Sequence, residues 1–259
     1  MEHPADPAEA AACLDLLWGQ QPPSQRGPRP AFTIGQVAEA AVRLADADGI
    51  TAVSMQRVAS ELGYTKMALY RYVTGKSQLF AVMVEAAIGP PPDIRSVRGG
   101  WRRRARTWAQ LMWATWDRHP WLPGATTGPR AIGPHEVGWT EAGLAAFEAT
   151  PLSGSQRMSA VTLLSGHIRN TYSASAGGTQ PWTAGGRQDP GLAPFLSTAP
   201  GRFPAIAAAL ESPRRRADPR EFGLRCILDG IERLITPPGP AGAAVPARPV
   251  PGRARPGPD

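Results

Sequence analysis

The residues of this 259-residue chain best suited to chemistry lie between Ser54 and Lys76. Thr65, Lys66, Tyr70, Arg71, Tyr72 and Lys76 supply hydroxyl, ammonium and guanidinium donors along one short stretch, with Ser54 and Gln56 just upstream. Donors of this kind hold phosphate oxygens and other anionic acceptors. Covalent or metal-assisted chemistry finds less to use. The four histidines, His3, His119, His135 and His167, include no pair at the i, i+4 spacing of a metal-binding helix face. No Gly-x-Ser-x-Gly elbow occurs. Gly75-Lys76-Ser77 imitates the end of a phosphate-binding loop, but that loop requires Gly where Tyr70 stands. Neither an enzyme nor a metal or organic cofactor is expected.

A second set of residues is suited to binding. Trp101, Ala105, Trp108, Met112, Thr115 and His119 recur at helical spacing, with Trp113 and Trp116 beside them, and five of the eight tryptophans fall between 101 and 121. Tryptophan at this density either fills a core or walls a pocket for an apolar or cationic small molecule. Trp108, Met112, Trp116, Trp139 and His167 are the candidate lining residues of such a pocket.

Both sets need helices to position them. Ile34, Val37, Ala38, Ala41, Leu44 and Ala45 make one apolar face, with Thr33 as N-cap and Gly49 at the far end. Ser54 caps a short helix carrying Met55, Val58, Ala59 and Leu62, which Gly63 ends. A third helix follows Thr65, and a fourth, after Thr74-Gly75, aligns Leu79, Phe80, Met83, Val84 and Ala87. The segment GPPPDIRSVRGG at 89–100 breaks any helix and marks a domain boundary. Beyond it, periodicity predicts helices at about 101–118, 135–149, 153–175, 201–211 and 218–235. No segment alternates as a strand does, so the fold class is all-α.

Ala59 and Gly63 give the second and third helices a definite relation. A helix-turn-helix needs a small residue where one helix crosses the other, and a turn residue that tolerates positive φ. Residues 31–88 resemble the DNA-binding domain of the TetR family of transcriptional regulators. The most specific piece is LYRYVTGKSQLF (69–80), similar to the family's L-Y-x-[HY]-[FV]-x-x-K-x-x-L pattern. ADADGITAVSMQRVASELG before it fits the family's spacing, and GPHEVGWTEAGLAAF and FGLRCILDGIERLI resemble a subgroup common in actinomycetes.

The resemblance implies a homodimer on a palindromic double-stranded DNA operator, most often as a repressor, released by a small-molecule effector. The effector is unknown. The third helix would enter the major groove and present Thr65, Lys66, Met67 and Ala68 to base edges, with Gln56 reaching a base from the second. Tyr70, Arg71, Tyr72 and Lys76 would hold phosphates, Ser54 a phosphate or its own helix, and Arg26 and Arg29 a phosphate or the minor groove. The body would bind ligand and dimerise, through Met158, Val161, Ser165, Ile168 and Tyr172 at 153–175 and Phe222, Leu224, Ile227, Leu228, Ile231, Leu234 and Ile235 at 218–235. The alternative is a constitutive DNA-binding or assembly protein whose tryptophans fill a solid core.

Composition agrees with this reading without requiring it. Lys+Arg outnumber Asp+Glu 28 to 21, which permits a polyanionic partner. Only Lys66 and Lys76 are lysines, and an Arg, Ala, Gly and Pro bias of this kind reflects a GC-rich genome. Two cysteines cannot form a disulfide framework, no secretory signal is visible, and no apolar run approaches ~18 residues, so a cytoplasmic protein with no membrane partner is expected. The expected organisation is a flexible arm (1–30), a helix-turn-helix domain (31–89), a ligand-binding and dimerisation domain (101–235) and a disordered Pro/Gly-rich tail (236–259).

Overall fold

The computed structural model describes residues 7–19, 32–175, 200–211 and 218–236. Among the described residues every regular element is helical. The head holds α1 (Pro7–Leu17), α2 (Ile34–Asp48), a 3-10 turn (Ile50–Ala52), α3 (Met55–Glu61), α4 (Lys66–Leu69) and α5 (Lys76–Ile88). The body holds α6 (Trp101–Arg118), α7 (Leu122–Ala125), α8 (Pro134–Ala145), α9 (Gly154–Ser175), α10 (Pro204–Glu211) and α11 (Pro219–Ile235).

The head forms where its caps and apolar faces demand. Thr33 and Gln36 make a reciprocal capping box at the start of α2 (3.2 and 2.7 Å). Ser54 and Thr65 cap α3 and α4 through the backbone N–H groups of Arg57 and Ala68. Gly63, between α3 and α4, has φ +76°, a conformation side chains rarely adopt, and so sets the crossing of the two helices. Phe32, Val37, Ala41, Val58, Ala59, Leu69, Val73, Leu79 and Met83 close the head core.

The N-terminal segment departs from the expected flexible arm. Residues 7–17 form a helix that packs on α5, burying Cys13 and setting Leu16 and Leu17 against the head core. The Gln78 amide of α5 donates to the Ala12 carbonyl (3.4 Å). The Pro and Gln of 20–30 masked the strong helix propensity of the Ala- and Leu-rich PAEAAACLDLL. Arg26 and Arg29, most of the 177–204 loop and the tail after Thr236 lie outside the described residues.

α5 is the hub. It packs on α1 and α2 on the head side and on α7 and α8 on the body side. That arrangement explains why seven of its thirteen residues are buried rather than one face. The body core centres on Trp108, Phe147, Leu164, Ile168, Leu224 and Leu228. α9 and α11 pack together and bury Val161, Ile168, Tyr172, Leu224, Leu228 and Ile231 within one chain. Of the side chains expected at a dimer face, Met158, Phe222 and Leu234 stay exposed, as does Leu163 beside them, whereas Ile231 is internal. α11 is thus less apolar on its outer side than its count of hydrophobic residues implies.

Candidate nucleic-acid interface and inner cavity

The head's charges divide into two groups. Arg43 pairs with Glu61 (3.4 Å) and Arg57 with Asp48 (2.5 Å), so both are neutralised within the head. Lys66, Arg71 and Lys76 are exposed and have no ion-pair partner among the described residues. These three stand on α4, just after it, and at the first turn of α5. Lys76 is exposed on the first turn of α5, where Gly75 offers no side-chain cap to the helix's first N–H groups.

The other expected contacts sort by exposure. Thr65 and Gln56 are exposed, and Met67 is 73% exposed, a large apolar side chain left in water at the tip of the head. Ala68 turns partly inward against the head core. Ser54 is exposed, with its hydroxyl taken up by capping. Tyr70 is exposed, with the Lys66 ammonium 5.5 Å from its ring centre. Tyr72 differs from expectation: it stacks on Phe32 (4.2 Å between centres), and its hydroxyl oxygen lies 3.5 Å from the Phe32 N–H as acceptor. Its apolar partner comes from the segment before α2, which helical periodicity around residue 72 does not reveal.

The body holds a partly open cavity of about 180 Å³. Four of the five expected lining residues, Trp108, Met112, Trp116 and Trp139, meet there. His167 does not. It lies two residues, or about 200°, round α9 from Ser165, which does line the cavity. Its ring instead bonds the Arg220 carbonyl oxygen of α11 (2.9 Å) and stands edge-on to Trp113. Two charged groups that the tryptophan pattern does not signal, Glu136 and Arg169, also line the cavity. Arg130 pairs with one oxygen of Glu136 (2.5 Å). The Arg169 guanidinium lies 5.1 Å from the Trp116 ring centre and donates to Thr126 Oγ1 (3.1 Å) and to the Pro123 carbonyl. Burial, and then the charge of Arg130, pulls the Arg169 pKa down. A spacing signal exists in retrospect: Glu136 precedes Trp139 by three, and Arg169 follows Ser165 by four.

Cavity and head are joined by hydrogen bonds. Asp46 of α2 accepts from Trp121 Nε1 (2.7 Å) and bonds His119 Nδ1 (2.9 Å), next to the cavity residue Leu122. Glu85 of α5 accepts the His135 backbone N–H at the start of α8 (2.6 Å), one residue before Glu136. Burial raises the Glu85 carboxyl above its ordinary value, against the lowering effect of those bonds. Trp139 donates to the Gly89 carbonyl (3.2 Å) and Trp108 to the Trp139 carbonyl (2.9 Å). Trp18, just after α1, donates to the Ile132 carbonyl (3.1 Å).

A helix-turn-helix head, carried on a hub helix that also packs against a hollow helical body, defines a transcriptional regulator of the helix-turn-helix class. The chain belongs to the TetR family: residues 37–83 match the family description "Bacterial regulatory proteins, tetR family", and residues 95–235 match "Tetracyclin repressor-like, C-terminal domain". It is 34% identical to the HTH-type transcriptional repressor DrrR1 of Streptomyces coeruleorubidus over 242 residues, covering 88% of this chain and 87% of that one. Its fold is similar to that of a possible TetR family transcriptional regulator from Streptomyces coelicolor A3(2), with TM-score 0.62, 23% identity and coverage of 78% and 99%. It is also similar to that of ActR from Streptomyces coelicolor in complex with actinorhodin, with TM-score 0.60, 16% identity and coverage of 81% and 99%. The chain is a DNA-binding transcriptional regulator.

Proposed function

We propose that two copies of this chain repress transcription in the cytoplasm from a palindromic operator, and that a small molecule in the Trp108–Trp116–Trp139 cavity releases them. The observation that carries this reading is the bonding to the head of residues next to the cavity walls, Trp121 beside Leu122 to Asp46 and His135 beside Glu136 to Glu85. A guest that shifts α7 or α8 must move these partners, and with them the spacing of two heads. The guest acts only through unequal affinity for the two arrangements. A solid core would have favoured the constitutive binder; the cavity favours the sensor.

In this reading Lys66, Met67, Thr65 and Gln56 address bases, while Lys76, Arg71 and Tyr70 hold phosphates. The exposed Met158, Leu163, Phe222 and Leu234 form the dimer face. Gly166 supports that assignment. Mid-helix glycine costs about 1 kcal/mol against alanine, yet among the described residues nothing beyond its own stretch of helix lies within 4 Å of where a Cβ would stand. A closely approaching second helix would account for it. The test is selection of binding sites from random DNA, followed by thermal-shift screening of small molecules. Enriched sites should be two-fold symmetric, and compounds that raise the melting temperature should lower operator affinity. Asymmetric single sites, or stabilising compounds that leave operator binding unchanged, would overturn the reading.

A further inference from the structure

The tryptophans of the cavity would accept any flat apolar guest, so its polar groups must choose among guests. Arg169 is a half-buried cation with no carboxylate within ion-pair distance among the described residues. An arginine carries five N–H donors, and its two bonds here, to the Pro123 carbonyl and Thr126 Oγ1, are to neutral oxygens. Glu136 is the reverse case. Arg130 satisfies its Oε1, while its Oε2 is buried and has no hydrogen-bond partner. Glu136 acts on Arg169 only at longer range, so the guanidinium has no directly bonded counter-charge, and Glu136 Oε2, like the Nε of its partner Arg130, is buried without a hydrogen-bond partner. An amine-bearing guest would meet Arg169 as a like charge. A plain hydrocarbon would leave both groups as they are.

We infer that the cavity takes a compact hydroxylated aromatic acid: one or two fused rings among the three indoles, an anionic oxygen on Arg169 and a hydroxyl donating to Glu136 Oε2. The size follows from the cavity, about 180 Å³ against the ~150 Å³ engineered cavity that holds benzene. Ring stacking supplies affinity, and the charge-assisted bonds supply choice. The inference rests on the effector reading above and gives it a ligand class.

Titration calorimetry of the full chain with four bicyclic probes tests it: 6-hydroxy-2-naphthoate, 2-naphthoate, 2-naphthol and 2-naphthylmethylamine. Both acids should bind at least about tenfold tighter than the naphthol, as one charge-assisted bond implies. The hydroxy acid should bind several-fold tighter than the plain acid, and the amine weakest. Arg169→Gln should abolish the preference for acids and keep the naphthol affinity, which also reports that the variant is folded. Arg169→Lys, which keeps the charge, should keep the preference. Binding of none of the probes, an amine that matches the acids, or an acid preference that survives Arg169→Gln would each overturn the inference. Operator binding separates the two readings. If the acids bind as stated but leave operator affinity unchanged, the ligand class stands and the effector role falls. If operator is released by a compound that does not compete with the hydroxy acid, the role stands and the class falls.

Discussion

Lys76 and Lys66 stand close in sequence, yet the proposed function gives them different tasks. Lys76 sits on the uncapped first turn of α5, where backbone N–H groups already favour an anion. Lys76→Ala should weaken operator and scrambled DNA alike and lower the salt dependence by about one phosphate contact. Lys66 and Met67 project from α4, so alanine at either should cost roughly 1–3 kcal/mol at particular base positions and little on scrambled DNA. Fluorescence anisotropy across a salt series distinguishes the two. A change in specificity with Lys76→Ala at constant salt slope would reverse the assignment. At this scale the sequence was most informative where a motif fixes position, as for Gly63, Thr65 and Lys76. It was least informative where a partner comes from elsewhere in the chain: Phe32 beneath Tyr72, Arg169 beside Trp116, and α11 beside His167.

Among the elements α5 sets the terms, because it packs on both α1 and α2 of the head and on α7 and α8 of the body. Glu85 gives a titratable report on that junction. Burial raises its pKa, and the charged or titratable groups nearest it are His135 and Glu136. The folded carboxyl holds its proton more tightly than the unfolded chain does. Its stabilising contribution is therefore complete below the ordinary value of 4.5 and is lost as pH rises through the raised folded value. Glu85→Gln keeps an acceptor for the His135 N–H and does not titrate. The stability of the parent relative to this variant should fall as pH rises from about 4 to 7, measured by urea unfolding at fixed ionic strength. A difference independent of pH would mean that the carboxylate is hydrated. α1 yields a second test. Removing residues 1–19 uncovers α5 and should cost about 2–4 kcal/mol from the lost burial of Cys13, Leu16 and Leu17, seen as a lower melting temperature. An unchanged melting temperature would return α1 to the status of a loose arm. The helices α2 to α6 and α8 to α11 were legible because caps, glycines and prolines punctuate a clean 3.6-residue period, whereas the four-residue α7 (Leu122–Ala125) is too short to show one. α1 was not, since its neighbours 20–30 read as coil and its docking partner lies more than fifty residues away.

For the whole molecule the deciding question is what covers the outer sides of α9 and α11. Ile231 is 6% exposed in the single chain, so Ile231→Asp should unfold the protein. Phe222 and Leu163 are more than half exposed. Phe222→Asp combined with Leu163→Glu should give a folded monomer that binds operator far more weakly, because a single head reads only a half-site. Sedimentation velocity with circular dichroism separates these outcomes, and a folded dimer with intact operator affinity would move the interface elsewhere.

The scarcity of lysine has a practical consequence. The chain's only lysines, Lys66 and Lys76, are both exposed and both belong to the head. An acylating reagent, or coupling through amines to a sensor chip, would therefore modify the proposed DNA-contacting surface and little else apart from an N-terminal amine. Immobilised in that way the protein should lose its DNA affinity and keep its small-molecule affinity. Mass-spectrometric acylation with and without operator should in turn reveal occupancy from two peptides alone.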